Sequence, residues 1–136
     1  TISYVLAMEE ISKVDASASV VMSVNNSLVC WGIEKYGNDD QKERFLKPLA
    51  SGQIHGGFCL SEPEAGSDAT SQKTTAIDMG DHYVINGTKN WITHGISGNV
   101  AVVLARTGEL LDSHGITAFI VERTTPGFRG GKKENH

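Results

Sequence analysis

The stretch GGFCLSEPEAGSD, residues 56–68, gathers hydroxyl and carboxylate side chains in a loop punctuated by Pro63 and Gly66. A β-like segment, Phe58 to Ser61, leads into it. Loops of this kind expose backbone N–H groups that can bond ring carbonyls or phosphate oxygens, although a solvated turn is the ordinary reading of the same composition. In NGTKNWITHG, residues 86–95, a strand over 88–93 would put Trp91 and Thr93 on one face and Ile92 on the other. An aromatic plane beside a hydroxyl suits a flat heteroaromatic ligand: the ring packs, and the hydroxyl bonds a ring nitrogen. A core tryptophan beside a threonine is the competing reading.

Other candidates are weaker. Glu62 and Glu64 are poor candidates for a catalytic base. His55, His82, His94, His114 and His136 show no metal spacing and read as surface or turn residues. Lys73, Lys89, Arg106, Arg123, Arg129, Lys132 and Lys133 could meet phosphates, with exposed, solvated side chains as the default. There is no Ser-His-Asp or Walker pattern, and GISG (residues 95–98) lacks the order of a dinucleotide-binding loop.

The elements that position these segments follow from periodicity. Ile2, Val5, Leu6, Ile11 and Val14 have the spacing of an amphipathic helix over residues 2–14. Asp15 can cap a second, largely apolar helix from Ala16 through Val29, with Gly37 as its stop. Its small residues, Ala16, Ser17, Ala18 and Ser19, allow close helix packing or a nearby ligand, packing being favoured. Asn38 and Gln41 form a capping-box pattern that opens a third helix, limited near Pro48. Of 15 glycines only Gly32 and Gly37 precede residue 50, and the period then changes to strands at 73–79, 82–86, 88–93, 99–107 and 115–122. Gly80-Asp81 and Asn86-Gly87 are the expected turns, the second a hairpin signal. Short turns between successive strands suggest an antiparallel barrel or sandwich.

The 136 residues carry a net charge of -4, with 39% hydrophobic and 21% charged side chains, which describes a globular chain without broad affinity for nucleic acid or anionic lipid. No apolar run approaches the ~20 residues of a membrane span, and no secretory signal pattern is present at the start. Cys30 and Cys59 have no metal-like spacing and suggest no disulfide framework, which points to a reducing compartment. The opening TISYVLAMEEI and the closing GKKENH both read as cuts in a longer chain.

FCLSEPEAGSDATSQKTTAIDMGDHYVINGTKNWITHG resembles the middle domain of the flavin-dependent acyl-CoA dehydrogenases. YVLAMEEISKVDASASVVMSVNNSLVC and YGNDDQKERFLKPLASG are similar to the helices that precede it. The SEPEAGSD motif looks most like the short-chain or butyryl-CoA branch. The resemblance implies an α+β fold: a partial N-terminal helical bundle over residues 1–53, then an antiparallel β-barrel middle domain over 54–136, incomplete at its end, with a C-terminal helical domain absent. It implies FAD as cofactor, with Phe58, Cys59, Leu60 and Ser61 lining the flavin, and Trp91, Ile92 and Thr93 against its ring system. Ser67 matches a serine that meets the CoA part of the substrate while its loop also meets FAD. Ser61 stands where many relatives have threonine, and Glu64 replaces a common glycine, which requires that position to avoid positive φ.

The implied reaction converts acyl-CoA to trans-2-enoyl-CoA by α-proton abstraction and β-hydride transfer. The usual base is a glutamate on the later helical domain, so no catalytic residue is expected in this chain and the chain alone is expected to be inactive. Implied partners are the acyl-CoA substrate, an electron-transferring flavoprotein and further copies of the full-length protein, as a tetramer. The implied location is the mitochondrial matrix in a eukaryote or the cytoplasm in a bacterium. An acyl-CoA oxidase, distinguished by peroxide production, or another flavoenzyme on the same scaffold, and a non-catalytic flavin- or CoA-binding module are the alternatives.

Overall fold

A computed structural model describes residues 2–109, 112 and 114–131. The first helix, Ile2–Val14, ends at Asp15, whose carboxylate accepts from Ser17 N at 2.8 Å and Ala18 N at 3.2 Å and so caps the next helix. That helix runs through Ala16–Tyr36 with a π-type stretch at Val24–Cys30. Ser19 is buried and bonded to Ser12 Oγ at 2.7 Å, so the small residues serve contact between the first two helices.

The Asn38 capping box forms as expected: Gln41 N donates to Asn38 Oδ1 at 2.8 Å, and Asn38 N to Gln41 Oε1 at 3.0 Å. The helix it opens continues through Pro48 to Ala50. A π-type turn at Lys42–Leu46 precedes the proline, where the ring removes a donor and crowds the preceding turn.

The second helix, at 21 residues and a mean hydropathy of 1.2, has the length and apolarity of a membrane span, which corrects the expectation that no segment approaches one. Its Val29, Cys30 and Ile33 nevertheless pack on Leu49, Val100 and Val102 as the main core between helices and sheet.

Among the described residues five strands form one sheet: β1 (Gly56–Cys59), β2 (Thr75–Asp78), β3 (Tyr83–Asn86), β4 (Val100–Arg106) and β5 (Ile116–Glu122). The α+β class stands, but the pairing is mixed and not purely antiparallel. β4 runs parallel to β1 along Gly56–Cys59 and meets β2 in parallel at Thr75↔Arg106, while β2–β3 and β4–β5 are antiparallel. Turn signals report only neighbours in sequence, whereas a parallel pair needs a long crossover, supplied here by residues 60–99. β4 is buried on both faces: Val100 and Val102 face the helices, and Ala101 and Val103 pack with Cys59 on the other side.

The Gly80-Asp81 turn lies within the β2–β3 hairpin. Asn86-Gly87 does not begin a second one, and residues 88–93 form no strand. Trp91 and His94 have left-handed backbones, with φ of 60° and 63°, which a strand cannot accommodate. Instead a turn closes through Gly95 N to Ile92 O at 2.9 Å and Gly98 N to His94 O at 2.7 Å. This turn lies directly over β1, because a Cβ on Gly57 would stand 3.1 Å from Thr93 O.

Candidate functional site

A cleft of about 320 Å³ lies where the start of the SEPEAGSD loop meets the 91–95 turn. Phe58, Leu60 and Ser61 form one wall, and Trp91, Ile92 and Thr93 the other. Val24 and Leu28 of the second helix complete it. These last two were missed by sequence reasoning, since an apolar helical pair looks like core until the sheet is placed beneath it. Trp91 and Thr93 reach the cleft through the left-handed turn and not through strand parity, and Ile92 lines it with them.

Cys59 points the other way, into the cluster with Ala101 and Val103. It is 5% exposed, and burial pushes its thiol up to about 11. Ser67 sits exposed on the loop and does not line the cleft. Glu64 is exposed and lies outside the left-handed region, as the replacement of a glycine requires.

The walls are joined by a buried polar cluster that the sequence did not disclose. Lys89 Nζ donates to Leu60 O at 3.0 Å, Glu62 Oε1 at 2.7 Å and Gln72 Oε1 at 2.8 Å. Glu62 also accepts from Lys73 N at 2.6 Å and Thr74 N at 3.0 Å. The side chains of Lys89 and Glu62 are only 9% and 3% exposed. Burial pushes the Glu62 carboxyl up, but the Lys89 ammonium and the two backbone donors outweigh it and bring the value down to about 2. An ionised, fully bonded carboxylate is a structural anion and no proton acceptor. Beside it, Asn90 N donates to Ser61 O at 2.9 Å.

Arg106 is neither solvated nor a phosphate contact. It is 5% exposed and donates to the carbonyls of Thr70, Gln72, Glu109 and Asp112. Asp68 closes the other end of the SEPEAGSD loop by capping the short helix Ala69–Ser71. Arg123 donates to Gly95 O at 3.1 Å, steadying the 91–95 turn. Lys132, Lys133 and His136 lie outside the described residues.

His94 carries a buried Nε2 without a hydrogen-bond partner among the described residues, and its ring centroid lies 5.1 Å from that of His55. Burial, then the neighbouring His55, holds its pKa below the usual 6.5. A base depressed in the fold contributes stability above its unfolded value that is lost as pH falls below it. His94→Asn, whose new residue tolerates a left-handed backbone, should therefore flatten the fall in stability between about pH 7 and about pH 5. Thermal melts across that range measure it, and an unchanged slope counts against this role.

Residues 1–53 match the family model described as acyl-CoA dehydrogenase, N-terminal domain, and residues 57–136 the one described as acyl-CoA dehydrogenase, middle domain. The chain is 49% identical over 134 residues to the short-chain specific acyl-CoA dehydrogenase, mitochondrial, of Homo sapiens, covering 98% of this chain and 32% of that protein. The structure of butyryl-CoA dehydrogenase from Megasphaera elsdenii superposes with a TM-score of 0.93 at 46% identity, over 98% of this chain and 35% of that one. A glutaryl-CoA dehydrogenase from Mycobacterium smegmatis in complex with FADH2 does so with a TM-score of 0.82 at 38% identity, over 90% and 30% of the two chains. The chain thus spans about a third of the length of these relatives. With both of its parts matched in order and the two motifs meeting at one cleft, the chain belongs to the acyl-CoA dehydrogenase family.

Proposed function

We propose that this chain forms the flavin-contacting part of an FAD-dependent enzyme that oxidises an acyl-CoA to its trans-2-enoyl-CoA. The observation that carries the reading is the convergence of Phe58, Leu60, Ser61, Trp91, Ile92 and Thr93, from two distant motifs, on one cleft. The residues fit a flavin on their own chemistry. Ser61 and Thr93 line the cleft, and the hydroxyl of neither has an intramolecular hydrogen-bond partner among the described residues. Trp91 is 71% exposed beside them, a costly arrangement for an indole unless a planar partner covers it. FAD bound there supplies the acceptor for the β-hydride.

The protein's own share is to hold that acceptor: two hydroxyls orient polar edges, while Trp91, Ile92 and Leu60 exclude water from its surface. The base that takes the α-proton lies elsewhere. Glu62 is sealed in its ion pair, and Glu64 is exposed and outside the cleft. The later helical domain implied by the family remains its assigned place. The M. elsdenii and human similarities favour a short-chain acyl-CoA as substrate. The same reading assigns Ser67 to the CoA part of the substrate and an electron-transferring flavoprotein as the next electron acceptor. It also assigns a homotetramer for the whole protein, in the mitochondrial matrix or the bacterial cytoplasm according to source.

In the intact protein, Trp91→Ala and Thr93→Ala should each weaken FAD retention about tenfold, equivalent to ~1.4 kcal/mol, or slow flavin bleaching by butyryl-CoA to a similar degree. Apoprotein titration with FAD and stopped-flow absorbance measure the two effects. Wild-type values for both variants would remove the cleft from the flavin.

A further inference from the structure

We infer that the Glu62–Lys89 pair is a positioning device that fixes the spacing of the two cleft walls and thereby sets how tightly flavin is held, an inference that rests on the proposed function. The walls come from segments far apart in sequence, 58–61 and 91–93, and a backbone hydrogen bond from Asn90 N to Ser61 O at 2.9 Å ties them. Lys89 precedes that tie by one residue and adds the side-chain ties, to Leu60 O and to Glu62 Oε1. Leu60 and Ser61 line the cleft themselves, so Lys89 and Asn90 grip consecutive carbonyls of one wall from the strand of chain that leads into the other.

The chemistry of the pair fits positioning, because its polar groups are spent on the protein itself. All three donors of the ammonium are used, on a carbonyl, a carboxylate and an amide oxygen. The carboxylate in turn takes Lys89 and the N–H groups of Lys73 and Thr74; neither Lys89 nor Glu62 lines the cleft, and Lys89 borders the wider cavity on the far side of Trp91, Ile92 and Thr93. Glu62 also pairs with Ala65 through both backbone groups, at 2.9 and 3.2 Å, closing the Pro63-Glu64 turn. One carboxylate thus ties the base of the SEPEAGSD loop, the 73–74 segment and the approach to Trp91. The grip must be firm, because the wall it places holds Trp91 and His94 in left-handed backbones that relax if released.

The test uses the intact protein with its FAD removed. Lys89→Met and the milder Lys89→Gln, which keeps an amide donor for Leu60 O, are compared with Arg106→Met. Arg106 is an equally buried cation outside the cleft. Circular dichroism sets a temperature at which each variant is folded. FAD dissociation constants and the visible absorption bands of bound flavin are then measured there. Both Lys89 variants should raise the dissociation constant at least tenfold and shift the flavin bands, while Arg106→Met lowers the melting temperature yet changes the constant less than twofold. Wild-type affinity and bands in folded Lys89 variants, or an equal loss in Arg106→Met, would overturn the positioning role and leave the flavin site intact. Failure of the wild-type apoprotein itself to bind FAD would instead overturn the proposed function.

Discussion

Lys89→Met should destabilise the intact protein at neutral pH by about 3–5 kcal/mol, the cost of stranding one member of a buried ion pair. Glu62 would keep its two backbone donors but lose its only counter-charge among the described residues, with its side chain 3% exposed. The pH dependence identifies the cause. In the wild type the Glu62 carboxyl is depressed from 4.5 to about 2, so its contribution is complete above 4.5 and is lost as pH falls through about 2. In the variant, burial without the ammonium raises that carboxyl, and acidification relieves the stranded charge. The gap between wild type and variant should thus narrow as pH falls from about 7 to about 4. Denaturant unfolding at the two pH values measures it. A gap that stays constant would mean that lost packing of the lysine stem, and not charge, makes up the deficit.

Trp91→Gly should separate binding from stability. With a φ of 60° and 71% of its surface exposed, Trp91 holds a backbone conformation that disfavours it while burying little in return. Glycine adopts the left-handed region without that penalty, typically about 1–2 kcal/mol, but loses about 0.5–1 kcal/mol through greater freedom in the unfolded chain. The apoprotein should accordingly keep its stability or gain slightly. FAD affinity should fall at least tenfold, because the ring face is gone. Melting of the apoprotein and FAD titration measure the two quantities separately. A drop of several degrees in the apoprotein would show that the indole belongs to the core after all.

Local elements were legible because their causes are local. The Ile2–Val14 helix follows from apolar spacing, the starts of the next two from Asp15 and Asn38, and β2 to β5 from apolar runs between turns. The site motifs were legible through family resemblance, and most of their residues do meet in one cleft. What failed was inference across distance or across an unusual backbone. Residues 88–93 look like a strand by composition, yet Trp91 and His94 are held in a conformation that composition does not encode. Cys59, adjacent to Phe58, was grouped with it until strand alternation turned it to the opposite cluster.

By itself, then, the sequence of this chain determined its helices, most of its strands, the family they resemble and the two motifs that line the cleft, since each depends on residues within a few positions of one another. Only the tertiary structure decided that β4 runs parallel to β1, that Val24 and Leu28 face the cleft, and that Lys89, Glu62 and Arg106 are buried when charge alone would place them in water. A lysine or arginine enters the interior only where carbonyls and carboxylates from remote segments already converge on it. That convergence is a property of the folded chain and leaves no periodicity for the sequence to display.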